Sequence, residues 1–160
     1  MEGTETPPTL GTLLEGWADE APDDVVVRER QGEGRTLTIG QLVAGVDQRA
    51  AGLAAAGAGP DRAIVVWLPN RLEWLEVLAA AARIGAPVVG LNTRYRSDEL
   101  RHVLDRSRAA VLVAVDEFGG TRFADVLAQA DGAQEPDRDL TAVVVGARSP
   151  TWDHTGARVV

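Results

Sequence analysis

The chain has 160 residues, 45% hydrophobic and 25% charged, the size and balance of one globular domain with a sizeable core. Its 16 basic residues against 24 acidic ones give a formal net charge of −8, which argues against nucleic acid as a partner, since phosphates demand a basic face. There is no cysteine and no lysine, which excludes disulfides, thiolate metal sites, and cysteine or lysine nucleophiles within these residues.

The start, MEGTETPP, is acidic and polar, unlike a secretory signal, and residues 1–8 are predicted to be a disordered start. Thr12 and Glu15 have capping-box spacing and predict a short helix with Leu13, Leu14 and Trp17 turned inward, ended by Pro22 and Asp23. A β-hairpin is predicted next, with Val25 to Arg28 and Thr36 to Thr38 as strands and Gly32 to Gly34 as the turn. Thr38 and Gln41 form a second capping box. Behind it, Leu42, Val43, Val46, Ala50, Leu53 and Ala54 recur at helical spacing to about Ala56, with Gly57 as the left-handed residue after the helix.

Ala63 to Leu68, AIVVWL, carries no polar interruption, the pattern of a strand covered on both faces in a parallel sheet. Asn70 is predicted to cap the next helix, with Glu73 in the reciprocal position. There Glu73, Glu76 and Arg83 share one edge, while Leu72, Trp74, Leu75, Val77, Leu78 and four alanines predict a largely buried helix. Gly85 and Pro87 end it, and Val88 to Leu91 supplies a second strand, completing a right-handed βαβ crossover. Ser97 is predicted to cap a further helix with Asp98 and Glu99 in its first turn and Leu100, Val103 and Leu104 on its core face. Ala110 to Val115 reads as a strand, Phe123 to Ala130 as a short helix and Thr141 to Val145 as a last strand. Residues 147–160 show no period and are predicted to be an irregular tail. The expected fold is α/β: about four strands of a mostly parallel sheet flanked by helices over residues 9–146, with a helix–hairpin annex in front. No apolar run approaches the roughly 18 residues of a membrane span, and a cytoplasmic chain is expected.

Few residues carry chemistry on their own. Arg94 and Tyr95 follow a strand, where α/β sheets place ligands, but packing of their loop is the favoured reading over direct substrate contact. Arg122 lies in the turn DEFGGTR, and Asp116 and Glu117 are an acidic pair at a strand end, read as a solvated loop. His102 and His154 lack the spacing of a metal site or triad. Gly57-Ala58-Gly59 precedes a strand and Gly119-Gly120 lacks a third glycine, so both read as turns and not as a dinucleotide fingerprint. Trp17, Trp67 and Trp74 read as core; Trp152 lies in the tail.

Taken in order, five segments resemble the adenylate-forming enzymes, among them acyl-CoA synthetases, luciferases and peptide-synthetase adenylation domains. They are LLEGWADEAPDDVVV, RTLTIGQL, GAGPDRAIVVWLPN, AAARIGAPVVGLNTRY and SDELRHVLDRSRAAVLV, spanning roughly residues 12–146. Ile39, Gln41, Pro60, Arg83 and Gly90 depart from the family's usual residues. The resemblance implies the N-terminal subdomain of that fold, and for the full-length family an acyl-adenylate made from a carboxylate, ATP and Mg²⁺, then a thioester with coenzyme A. Such chemistry needs a glycine- and hydroxyl-rich phosphate loop, "Ser-Gly-Thr-Thr-Gly-x-Pro-Lys", and nothing in these residues matches it. The "Tyr-Gly-x-Thr-Glu" element, the hinge aspartate and the carboxylate-binding lysine are likewise unmatched. No catalytic, cofactor-binding or metal residue is therefore assigned in this chain. The expectation is a truncated N-terminal fragment of an acyl-CoA synthetase-like ligase, inactive alone and prone to self-association or to docking on the missing remainder. The competing reading is a non-enzymatic module that complements a separately encoded remainder. An unrelated α/β nucleotide binder is disfavoured because no phosphate loop is present.

Overall fold

The computed structural model describes residues 7–30, 34–131, 139–145 and 158–159. Its elements are α1 (Leu10–Glu20), β1 (Val25–Arg28), β2 (Thr36–Thr38), α2 (Ile39–Ala55), β3 (Ile64–Trp67), α3 (Leu72–Arg83), β4 (Val88–Gly90), α4 (Ser97–Ser107), β5 (Val111–Val115), β6 (Glu117–Phe118), β7 (Thr121–Arg122), α5 (Phe123–Asp131), β8 (Thr141–Val145) and β9 (Arg158–Val159). Strands β4, β3, β5, β8 and β9 lie side by side in that order, all parallel, with β1–β2 and β6–β7 as separate antiparallel hairpins.

The uninterrupted apolar runs behave as their composition dictates. Every residue of β3 and of β5 is buried, because helices cover both sides of the sheet there. The register pairs Val66 with Val113 and Val113 with Val143, so these side chains share one face, while Trp67 and Ala114 point to the other. On the Trp67 face, Phe123 of α5 stacks on the Trp67 indole with ring centroids 3.9 Å apart and planes 17° from parallel. The Arg101 guanidinium of α4 donates to the Ala130 and Gln129 carbonyls at the end of α5, locking α4 and α5 together. On the Val66 face, Trp74 of α3 lies against Gly90, whose missing side chain leaves 3.2 Å between an ideal Cβ and the Trp74 ring. Helices α3 and α4 thus take opposite faces, as right-handed crossovers running first one way and then the other along the sheet require.

Both α2 and α3 close with the same motif. The Ala58 N–H donates to the Leu53 carbonyl and the Gly57 N–H to that of Ala54; Ala86 and Gly85 repeat the pair onto Ala81 and Ala82. Gly57 and Gly85 take positive φ, +96° and +66°, where a side chain would be strained.

The annex of α1 and the β1–β2 hairpin has its own small core with α2 and α3, built on Leu37, Ile39, Leu42, Leu72 and Ala79. The Thr38–Gln41 capping box forms as predicted, with both reciprocal hydrogen bonds. Arg83 bridges all three helices of this region, donating to Asp47 on α2 at 2.9 Å and to Glu15 on α1.

Several local expectations are corrected. Thr9, not Thr12, caps α1, accepting from the Thr12 N–H, so the helix starts earlier. Leu13 and Trp17 face solvent, 56% and 43% exposed, and only Leu14 and Ala18 of that helix reach the core. Asn70 does not cap α3: the helix begins after Arg71, and the orphan Leu72 N–H is taken by the Glu29 carboxylate from the hairpin, at 3.1 Å. The structure likewise sets the cap of α4 at Arg96, one residue before Ser97, with the Glu99 carboxylate accepting the Arg96 N–H. The turn predicted at 32–34 and the start predicted at 1–8 fall largely outside the described residues. Of the predicted irregular tail only Arg158 and Val159 are described, and they pair with Thr141 and Ala142.

Phe123 is fully buried against Trp67, so truncation leaves a cavity at the centre of one layer. Phe123→Ala is expected to cost about 3–5 kcal/mol in urea denaturation, and a loss below about 1 kcal/mol would show that the stack does not organise the core.

Candidate functional site

In parallel sheets ligands meet the carboxyl ends of the strands, and here three strand ends converge. β3 runs into Leu68-Pro69-Asn70-Arg71, β4 into Leu91-Asn92-Thr93-Arg94-Tyr95, and β5 into Asp116 and the β6–β7 hairpin. Asn92 organises the middle loop. Its carbonyl accepts from the Trp67 indole N–H at 3.1 Å and from the Tyr95 N–H at 3.0 Å, and its side-chain oxygen accepts from the Arg94 N–H at 3.0 Å. The Arg94 and Tyr95 side chains project from this tethered loop into solvent. Arg96 then donates to the Thr121 hydroxyl at 3.0 Å, tying the loop to the β6–β7 hairpin.

The acidic pair divides. Glu117 is exposed on β6 opposite Arg122, whereas Asp116 is half-buried, its carbonyl accepting the Phe123 N–H at 3.1 Å. One Asp116 carboxyl oxygen is buried without a hydrogen-bond partner. Gly119 and Gly120 are the tip of the hairpin, with φ of +59° and +75°, and with the closing helix turn at Gly57 they are turns as predicted. His102 is exposed on α4, and His154 and Trp152 lie outside the described residues. No group of three or more His, Cys, Asp or Glu residues that could hold a metal occurs among the described residues.

Beside the end of β3, an open groove of about 720 Å³ runs between the β1–β2 hairpin, the start of α3 and the β6–β7 tip; its walls include Arg28, Arg30, Asn70, Arg71, Trp74 and Phe118. Glu29 and Arg71 of its lining belong to a charge cluster that local sequence spacing does not reveal. Arg35 donates to Glu29 at 3.0 Å and to Glu73 at 2.8 Å, and Arg71 grips Glu73 with two bonds of 3.0 and 3.1 Å. The Arg71 and Arg35 hydrogen bonds hold the Glu73 carboxyl down to about 2, from an ordinary 4.5, against a burial penalty that acts the other way. The Arg35 hydrogen bond, then the Leu72 N–H, lower Glu29, and Glu29 and Glu73 together raise Arg35.

This arrangement does not fit a nucleotide triphosphate. The one helix N-terminus at the groove, that of α3, already has its N–H engaged by the Glu29 carboxylate, leaving a negative group where a phosphate would have to sit. The Gly-containing turns are helix ends and a hairpin tip, not strand-to-helix cradles. What the site offers is rigid loop presentation at the carboxyl edge: an arginine and a tyrosine on a tethered loop, beside an arginine-walled groove.

The model of the family described as "AMP-binding enzyme" matches residues 14–157. The chain is 40% identical over 153 residues to a 3-[(3aS,4S,7aS)-7a-methyl-1,5-dioxo-octahydro-1H-inden-4-yl]propanoyl:CoA ligase of Mycobacterium tuberculosis, covering 93% of this chain and 29% of that one. It is 30% identical over 146 residues to the mitochondrial medium-chain acyl-CoA ligase ACSF2 of Homo sapiens, covering 85% of this chain and 24% of the relative. The crystal structure of the N-terminal domain of FACL13 from Mycobacterium tuberculosis superimposes with a TM-score of 0.74 at 22% identity, over 86% of this chain and 33% of that one, a likeness of fold. The chain therefore spans about a quarter of the length of the curated relatives it matches.

The cluster sets a pH dependence. Because folding lowers the Glu73 pKa, its contribution to stability is fully present above 4.5 and is lost as pH falls toward about 2. Glu73→Gln is expected to flatten the fall of Tm across that acid window; an unchanged slope would show that the cluster does not stabilise the fold.

Proposed function

Because the chain belongs to the AMP-binding enzyme family, we propose that its residues serve as the N-terminal scaffold of an acyl-CoA ligase that joins a carboxylic acid to coenzyme A at the expense of ATP, with Mg²⁺. The observation that carries this reading is the β3–α3–β4 unit, with β3 buried along its whole length and β4 continued by the tethered Asn92–Tyr95 loop, within a chain matched by the family over residues 14–157. The relatives' names, one a ligase for a fused-ring propanoate and one a medium-chain acyl-CoA ligase, support an acid with an apolar body and a place in fatty-acid or related carboxylate metabolism.

In this reading the 160 residues position and do not react. They hold the carboxyl edge of the sheet rigid, present Arg94 and Tyr95 from it, and supply packed faces for the rest of a ligase. Activation of the acid then depends on phosphate-binding and carboxylate-binding groups outside these residues, so the segment alone is inactive. No described helix is long and apolar enough to cross a membrane.

Titration of the isolated chain with MgATP by calorimetry tests the inactivity. Binding no tighter than a Kd of about 1 mM is expected. A micromolar Kd would overturn the scaffold reading, because it would require a phosphate site within these residues.

A further inference from the structure

We propose that the arginine-walled groove beside the end of β3 is an interface for a second copy of this chain, and that it takes the acidic end of that copy's α1. The proposal goes beyond the scaffold reading and stands without it.

Six large apolar side chains stand exposed among the described residues, and five of them lie on two surfaces. Leu10, Leu13 and Trp17 follow one another at helical spacing along one side of α1. Val25 joins them, because its neighbour Asp24 accepts a hydrogen bond from the Trp17 indole N–H at 3.3 Å. Phe118 lies on the other surface, where it lines the groove of about 720 Å³ together with the half-buried Trp74 and Leu75.

The charges at the two surfaces are opposite in sign and unmatched. Helix α1 runs out into Asp19, Glu20, Asp23 and Asp24, four exposed carboxylates within six residues. They crowd the negative end of the helix dipole, and the last turn of α1 holds no basic residue. The groove carries Arg28 and Arg30, both exposed, on the side of the hairpin that also presents Glu29 to its lining. Among the described residues, no ion pair involves Arg28, Arg30 or any of the four carboxylates. Each group of like charges is unfavourable where it stands, and contact between the two relieves both.

The surfaces therefore match in kind: an apolar stripe ending in carboxylates, and an aromatic groove edged by guanidinium groups. Arginine suits that edge, since its fork engages a carboxylate through two parallel bonds. Exposed ion pairs hold little net energy, so Leu13 and Trp17 against Trp74 and Phe118 supply the affinity, and the charges select the partner and its orientation. The net charge of −8 on each chain opposes association only weakly. At physiological salt, exposed charges farther apart than about 8 Å are largely screened, and contacting pairs lie well inside that distance. A small anion is the poorer occupant, because it satisfies the arginines and leaves the α1 stripe and its carboxylates bare. Each chain carries both halves of the contact, the condition for a twofold pair that makes it twice.

Sedimentation velocity of the 160-residue chain over a concentration series tests the interface, and dimers are expected. Arg28→Glu combined with Arg30→Glu should weaken the dimer by about tenfold or more, and so should Glu20→Arg combined with Asp23→Arg. Tm should stay at the wild-type value in both, because these side chains are exposed and form no ion pair among the described residues. Asp24 is left in place because it holds the Trp17 indole. Mixing the two reversed variants should restore association. Arg106→Glu combined with Arg108→Glu, at the end of α4 on the opposite side of the sheet, changes the net charge as much as the groove reversal and should leave the dimer intact. A wild-type chain that stays monomeric would overturn the proposal, as would a dimer that survives either reversal. A mixture that associates no more tightly than its components, or an equal loss from the α4 pair, would likewise overturn it. None of these outcomes bears on the family reading.

Discussion

Two adjacent strands with no polar side chain decide the architecture. β3 and β5 can exist only where both of their faces are kept from water, so each of the larger helices is placed by the need to cover them. α3 and α4 take opposite sides because the chain steps one way from β3 to β4 and back again to β5. The aromatic stack of Trp67 on Phe123 anchors the second layer, and Arg62 fastens the start of β3 to Asp139 just before β8.

The annex is joined differently. Its apolar core is small, and it is completed by a carboxylate–guanidinium lattice in which Glu29 and Arg35 from the hairpin region meet Arg71 and Glu73 at the start of α3. These groups remain partly hydrated, with the Arg35 side chain 43% exposed, so the lattice contributes chiefly by fixing where the hairpin lies and less by net energy. Guanidinium suits this duty because its planar fork engages two carboxylates at once, a geometry that an ammonium group does not share. The same lattice occupies the α3 N-terminus, since the Leu72 N–H that an anion could otherwise engage already donates to the Glu29 carboxylate.

Sequence alone makes much of this legible. Uninterrupted apolar runs identify β3 and β5, glycines after helices identify the ends of α2 and α3, and Thr38 with Gln41 identifies a start. These signals are local, carried by residues a few positions apart. Where sequence reading fails, the deciding partner is distant: the α3 cap comes from Glu29, 43 residues away. Thr9 and Thr12 both have capping chemistry, and spacing does not choose between them. The apolar residues of α1 repeat at helical intervals, yet periodicity does not say which stripe finds a neighbour; Leu14 and Ala18 do, and Leu13 and Trp17 do not. The β6–β7 hairpin was legible only as a glycine turn, since its two-residue strands are too short to show alternation.

The tether of Asn92 to Trp67 has a consequence for motion. Its anchor is a fully buried indole in the middle of the core, so the Arg94–Tyr95 loop has little freedom to wander independently of the sheet. The edge reaches any encounter already ordered, and the conformational entropy that a free loop would surrender on contact was given up when the domain folded.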